Sequence, residues 1–414
     1  MTFHPRPLTG ILVLILIAVL CSENRRAIRL RVTAPALLCQ ILAGMLMLGS
    51  AAGRSALAAA AHGMTWILSF GHAGIDFVFG ALAGPDIARL IPSADFIFAL
   101  HVLPQIIWLS ALISVLYHFG LMQAVARLLG SALTRLLGIT PLEGFSAVMA
   151  MFLGQTEIPV AIRPYLPTLS RTELFCAMSS GTSSIAMSML AAYAGLGIPM
   201  EYLLAASLMA MPGGILFAKI LMPSDRAAQN TAQIIQHEET RTASLFDALA
   251  TGATNGLGIA VSVATMLIAF ISFIALVNAL LGIAGTKAGL PGLTLSDLFG
   301  FFLRPLVWIL GVPWNECRTL AGIIGTKLAV NEFVAYSDLA PLIRTHALST
   351  QTLAIASFAV CGFANLSSVG VLIGAFGSQH PPARPEVARL GPRAVLSGTL
   401  SNLTAAAIAG LFIA

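Results

Sequence analysis

Eight apolar runs separated by short polar joints dominate this chain: Leu8–Cys21, Val32–Ala52, Phe96–Phe119, Phe175–Leu196, Tyr202–Leu221, Gly252–Leu281, Leu353–Phe376 and Val395–Ala414. A membrane-crossing helix needs about 20 mostly apolar residues. The pattern therefore predicts an all-α polytopic membrane protein with eight transmembrane helices. Two further regions, Pro141–Leu169 and Leu295–Leu339, behave differently. Their apolar halves are too short to cross, and polar residues interrupt them: Gly154-Gln155-Thr156-Glu157 in the first, Gly325-Thr326-Lys327 and Asn331-Glu332 in the second. Backbone that leaves a helix at membrane depth survives only where protein or a wet cavity covers it. Both regions are predicted to be re-entrant hairpins. Ala56–Ile75, with His62, Ser69 and His72, reads as an interfacial amphipathic helix.

Composition agrees. Of 414 residues, 57% are hydrophobic and only 9% charged, with a mean hydropathy of +0.90. A soluble domain carries about 25% charged residues, so lipid must be the main solvent. The net charge of +5 does not indicate a nucleic-acid partner, because the basic residues sit at the ends of apolar runs. There they set topology. The Arg25–Arg31 cluster predicts a cytoplasmic first loop, with the N-terminus and C-terminus both periplasmic. Arg127 and Arg135, Arg163 and Arg171, Lys219 and Arg226, and Arg384, Arg389 and Arg393 then all fall on the cytoplasmic side, provided both hairpins return to the side they entered from. Because that cluster follows the first apolar run, and Leu20 precedes Cys21, the first run is expected to be an uncleaved span. Five scattered cysteines contain no CxxC pair, so neither a disulfide framework nor a zinc site is predicted.

An internal echo organises the rest. Each hairpin is followed by a run with a Ser-Ser interruption, at Ser183-Ser184 and Ser367-Ser368, and then by one more small-residue-rich run. The first hairpin enters from the cytoplasm and the second from outside, which makes an inverted repeat. In such transporters the site lies at the midplane between repeats.

Glu157 and Glu332 are the sharpest chemical features. A carboxylate at bilayer depth costs at least about 2.5–3.5 kcal/mol, so each must face a cavity or hold partners. Each could instead serve only the free amides of its hairpin. Gln155, Thr156 and Asn331 flank them and offer both donors and acceptors. Asn365, Ser367 and Ser368 interrupt one span beside Phe363; Ser183 and Ser184 interrupt another, ahead of Met189. Lys327 could pair with Glu332, five residues on, or extend to the interface. His101 and Pro104 break the third span; His101 is read as a packing or interfacial residue, with a proton relay as the alternative. No HExxH, P-loop, GxGxxG or nucleophile elbow is present, so an ion gradient is the expected driving force.

The strings Gly154-Gln-Thr-Glu-Ile-Pro with Arg163-Pro-Tyr-Leu, Gly325-Thr-Lys-Leu-Ala-Val-Asn-Glu-Phe-Val-Ala-Tyr336 and Cys361-Gly-Phe-Ala-Asn-Leu-Ser-Ser-Val-Gly370 resemble the concentrative nucleoside transporter family, bacterial members included. The resemblance covers nearly the whole chain. It implies a homotrimer in the bacterial inner membrane. Residues 1–140 would be scaffold, with spans one to three and the interfacial helix. Residues 141–222 would be the first transport-domain repeat, 223–290 a cytoplasmic linker with scaffold span six, and 291–414 the second repeat. The transport domain would slide as an elevator and import nucleosides such as uridine or adenosine. It also implies nucleobase contacts from Gln155, Thr156, Glu157 and Met189, and ribose contacts from Glu332, Asn365 and Ser368. Phe363 and Asn331 would line the pocket. Sodium-coupled members place an Asn five residues before the hairpin Gln; here that residue is Ala150, leaving Leu153, Ser184 and Ile185 as a weakened sodium site. No other cofactor is implied, and the coupling ion is proton or sodium. The loss at Ala150 tips the reading toward proton, with Glu157 or Glu332 as carrier, because burial favours a carboxyl's neutral form. Two alternatives stand beside symport: an intramembrane enzyme using Glu157 and Glu332 as an acid/base pair, and a passive nucleoside channel or receptor.

Overall fold

The computed structural model describes residues 5–82, 97–223, 243–287 and 289–413. Phe96 and most of the linker that follows Pro223, including Arg226, lie outside the described residues. Every regular element among the described residues is helical. In chain order they are α1 (Arg6–Leu20), α2 (Leu30–Gly44), α3 (Ala51–Phe79), α4 (Phe98–His118, interrupted at Val102), α5 (Leu121–Leu137) and α6 (Pro141–Phe152). Then follow α7 (Arg171–Ser183), α8 (Met187–Gly195), α9 (Met200–Leu221), α10 (Leu245–Lys287), α11 (Leu295–Ile309), α12 (Trp314–Ala329), α13 (Glu332–Arg344), α14 (Thr350–Val360), α15 (Ser367–Gln379) and α16 (Arg384–Phe412).

Six stretches of these helices are long and apolar enough to cross a membrane, or seven if α11 and α12, bent by 118°, count as one. The expected first span is a 15-residue helix, and the expected seventh is divided into α14 and α15. The fourth is divided into α7 and α8, broken at the Ser-Ser pair. The interfacial segment is longer than its amphipathic pattern indicated, since α3 has 29 residues.

Two helices were not separated by the sequence pattern. α5 carries Arg127 and Arg135, for which only a cytoplasmic position was expected. It buries Met122, Ala126, Gly130 and Leu137 on one stripe and leaves its other faces open. α11 falls within the region expected to form the second hairpin, Leu295–Leu339, which the structure divides into three helices, α11, α12 and α13. α5 packs on α6 and α11 on α12. The repeated unit is thus one helix longer: α5, α6, α7/α8, α9, and again α11, α12/α13, α14/α15, α16. Capping boxes begin α6 (Thr140 with Glu143), α7 (Ser170 with Glu173) and α11 (Thr294 with Asp297). Each satisfies backbone amides that a helix start leaves free.

The core is formed by α7, α9, α14 and α16, which pack on one another, with α2 against α9 and α1 against α16. Gln40 on α2 donates to the Ser401 carbonyl on α16 at 3.3 Å. At one end, Arg171 pairs with Glu23 (2.7 Å) and Glu386 (2.5 Å), and Arg393 reaches Glu23 (3.3 Å). This brings the α1–α2 joint and the starts of α7 and α16 to the same end. α10 packs mainly along α4. There Gly252 and Gly256 let the two backbones approach: a Cβ at Gly256 would fall 2.7 Å from Ile107 Cα. Small residues four apart are the usual device for close packing in lipid. The remaining surface of α10, with Ile268, Phe273 and Leu280, is exposed.

Candidate functional site

Four interruptions of helix meet at the centre of the core. α6 ends at Phe152 and gives way to 153–157; α7 and α8 are parted by 184–186; α12 and α13 by 330–331; α14 and α15 by 361–366. Backbone bonds join one break to another and to the end of α12. Phe363 N donates to the Ser184 carbonyl at 3.2 Å, and Leu366 N to the Leu328 carbonyl at 3.0 Å.

A continuous hydrogen-bond chain runs through the side chains. Gln155 Nε2 donates to Ser368 Oγ at 2.9 Å. Asn365 Oδ1 accepts from Ser367 Oγ (2.7 Å) and from Ser368 N (2.9 Å), which fixes the start of α15. Asn365 Nδ2 donates to Glu332 Oε2 at 3.2 Å, and Tyr193 Oη donates to Glu332 Oε1 at 2.9 Å. The Ser368 hydroxyl also contacts the Phe363 carbonyl. The chain therefore spans both repeats, from the first hairpin region (Gln155) through the α14–α15 break to the second (Glu332) and on to α8 (Tyr193). Gln155 Oε1 is buried and has no partner, so it offers an acceptor to a ligand's donor.

The other predicted residues fall around this chain. Glu157 is half-buried at the start of a single helical turn, Ile158–Ala161; its backbone amide donates to the Gly154 carbonyl at 2.9 Å. No side-chain hydrogen bond reaches the Glu157 carboxylate among the described residues, and Tyr117 lies within electrostatic reach of it. Thr156 is exposed, Phe363 half-buried, and Met189 buried one turn before Tyr193 on α8. A Cβ on Gly154 would lie 3.7 Å from Phe363 Cε2, so Phe363 stands against the first hairpin's break. Asn331 caps α13, its side chain accepting from Val334 N at 2.9 Å.

One expectation is corrected. Lys327 neither pairs directly with Glu332 nor extends to an interface. It is 1% exposed, and its ammonium donates to Asn402 Oδ1 at 2.8 Å and to the Ala359 carbonyl at 3.2 Å. A buried ammonium needs acceptors more than it needs a particular carboxylate, and two helix carbonyl-bearing elements lie nearer. Tyr193 and Asn402 were missed. Tyr193 follows Met189 by four residues and so shares its helix face. Asn402 is an amide in an apolar span, the same signal that marked Asn365.

The residues of the sodium site implied by resemblance are buried: Ala150, Leu153, Ser184 and Ile185. Ser184 Oγ donates to the Ala150 carbonyl at 2.6 Å. Ala150 brings no side-chain oxygen, so among these residues Ser184 is the one that could offer a side-chain ligand; its hydroxyl donates its hydrogen to the Ala150 carbonyl and keeps its lone pairs.

Profiles described as Na+ dependent nucleoside transporter N-terminus and C-terminus match residues 9–82 and 202–410, and one described as nucleoside recognition matches 99–200. The chain belongs to the concentrative nucleoside transporter family. It is 42% identical to the nucleoside permease NupC of Helicobacter pylori, covering 98% of this chain and 96% of that one. It is 32% identical to the human sodium/nucleoside cotransporter 1, over 97% of this chain and 63% of the human protein. Among solved structures, CNTnw in an inward-facing substrate-bound state aligns with a TM-score of 0.94 at 43% identity, over 98% and 97% of the two chains. A doubly substituted CNTnw variant in an outward-facing state aligns at 0.95. This family member is a multi-pass membrane protein. Its relatives are transporters rather than enzymes, which removes the acid/base reading of the two glutamates.

Proposed function

We propose that this transporter imports nucleosides across a bacterial inner membrane by proton symport. The observation that carries the reading is the hydrogen-bond chain Gln155–Ser368–Asn365–Glu332–Tyr193. It sets an amide with a free acceptor at one end and a carboxylate at the other. A nucleobase edge has mixed donors and acceptors that suit Gln155, with Thr156, Glu157 and Met189 beside it. A ribose has adjacent hydroxyl donors that suit Glu332, Asn365 and Ser368. A site built to bond a hydroxyl rejects the analogue that lacks it, because its own buried groups go unpaired.

The coupling proton is assigned to Glu157. Glu332 already accepts two hydrogen bonds, whereas Glu157 accepts none from a side chain among the described residues. A carboxylate with few fixed partners can gain and lose a proton without dismantling the ribose contacts.

Movement is read as an elevator within a homotrimer. The seam that the packing supports runs between α4 with α10 and the α7–α9–α14–α16 core. α1 and α2 lie against that core, so we group them with the moving body rather than with the scaffold to which the resemblance assigned them. The exposed apolar surface of α10 is offered to lipid or to neighbouring subunits.

Uridine uptake in proteoliposomes tests the reading. Accumulation under an inward proton gradient without sodium is expected, with label recovered chemically unchanged. Accumulation driven by sodium at equal pH would remove proton coupling. Equilibration without accumulation would favour a passive channel.

A further inference from the structure

The half-helices that flank the site create an electrostatic demand that the substrate contacts do not meet. α7 and α14 both end inside the protein. The last carbonyls of a helix have no intrahelical donors, and that end carries the negative pole of the helix dipole. Here two such ends lie beside each other and beside the Glu332 carboxylate.

One cation answers both. Lys327, near the C-terminal end of α12, donates to the Ala359 carbonyl in the last turn of α14 at 3.2 Å. It also donates to Asn402 Oδ1 at 2.8 Å, and Asn402 Nδ2 passes the contact on to the carbonyl of Ser183, the last residue of α7, at 2.6 Å. Asn402 sits mid-way along the continuous helix α16. Gly362, in the α14–α15 break, has no room for a Cβ against the Asn402 amide. The next residues carry the site: Phe363 N bonds to Ser184, and Asn365 bonds to Glu332.

We propose that Lys327 is a positioning residue for ribose recognition: its ammonium, directly and through Asn402, fixes the ends of α14 and α7 so that Asn365 meets Glu332. The proposal rests on the nucleoside reading above. Lys327 touches no substrate in it. Its effect is carried by the α14–α15 break, and therefore falls on the ribose half of the site rather than on Gln155, which reaches Ser368 from the first hairpin region.

The full-length protein in proteoliposomes tests this with Lys327→Met, which keeps length and removes the charge. Apparent affinities for uridine and 2′,3′-dideoxyuridine are measured, with melting temperature and monodispersity as folding controls. Uridine affinity is expected to fall about tenfold, the equivalent of about 1.4 kcal/mol, while affinity for the dideoxy analogue changes less than about twofold. The wild-type preference for the ribose hydroxyls then collapses. A purely structural role would weaken both ligands together, and that result, or no change in either, overturns the proposal. If Lys327→Met does not fold, Asn402→Asp serves instead: it keeps an acceptor for Lys327 but removes the donor to Ser183. The same loss of preference is expected, and a retained preference overturns the proposal. Wild-type protein that takes up neither nucleoside would sink the nucleoside reading itself, a separate outcome.

Discussion

Glu332→Gln isolates the charge at the ribose end of the site. In the native protein both carboxylate oxygens accept: Oε1 from Tyr193 and Oε2 from Asn365. A glutamine has the same shape, but one of those oxygens becomes an NH₂ donor. Whichever way the amide is turned, one of the two existing donors then faces another donor, and a ribose hydroxyl loses the charged acceptor. A hydrogen bond to a charged group is worth about 1.5–3 kcal/mol. Losing one such bond lowers affinity roughly 10- to 150-fold, at about 1.4 kcal/mol per tenfold. The assay is uridine binding to purified protein, followed by uptake in proteoliposomes, with 2′,3′-dideoxyuridine as comparator. The variant is expected to fold, to bind uridine within that weakened range, and to lose preference over the dideoxy analogue. At a uridine level about tenfold above the native Kd, occupancy should fall from about 90% to between about 50% and about 6%, with uptake falling in step. Native affinity and native preference in Glu332→Gln would refute the assignment of Glu332 to the ribose.

Tyr193→Phe removes a donor that orients Glu332 without itself touching the ligand, and leaves Asn365 in place, so uridine affinity should fall about tenfold or less; a loss as large as that of Glu332→Gln would mean Tyr193 contacts the ligand itself. Glu157→Gln should abolish the rise of uptake with falling external pH while leaving counterflow exchange of nucleoside; preserved pH dependence would exclude Glu157 as the proton carrier. Gly256→Leu should separate α10 from α4, since a Cβ there already meets Ile107 Cα at 2.7 Å. Overpacking of this kind costs about 1–3 kcal/mol, read as a lower melting temperature in detergent, and an unchanged melting temperature would show that the two helices are not held by this contact.

The sequence carried the helical breaks more clearly than the helices. The Ser183-Ser184 and Ser367-Ser368 pairs, the Gly154–Glu157 string and the Asn331-Glu332 pair mark the four interruptions, because polar residues at membrane depth are costly unless they are used. What it hid falls into two kinds. α5 and α11 are amphipathic rather than uniformly apolar, so a search for apolar runs passed over the first and merged the second into a hairpin. The partners of Lys327 and Glu332 were hidden by distance along the chain: Asn402 is 75 residues from Lys327, and Tyr193 is 139 from Glu332. Spacing within a motif made Lys327–Glu332 the obvious pair. Only the packing of α16 and α8 against the breaks supplies the nearer acceptor and the nearer donor.

The two glutamates occupy corresponding places in the repeats yet differ in what their helices can do for them. Glu332 is the first residue of α13, a helix of 13 residues, and Asn331 caps it. A carboxylate at that end is favoured by the free amides and by the dipole. Glu157 precedes only the four residues Ile158–Ala161, after which the chain tightens into the 3₁₀ stretch Arg163–Thr168. So short a turn aligns few peptide dipoles. Glu332 is thereby held in place from three sides, by its helix, by Tyr193 and by Asn365, as the proposed ribose contact would require. Glu157, with a short helix, a backbone hydrogen bond at Gly154 and an exposed neighbour in Thr156, is held by fewer groups, and this is what the proposed proton exchange would require of it. The two positions correspond along the chain, and the unequal length of the helices that follow them is the physical basis for proposing different tasks for the two carboxylates.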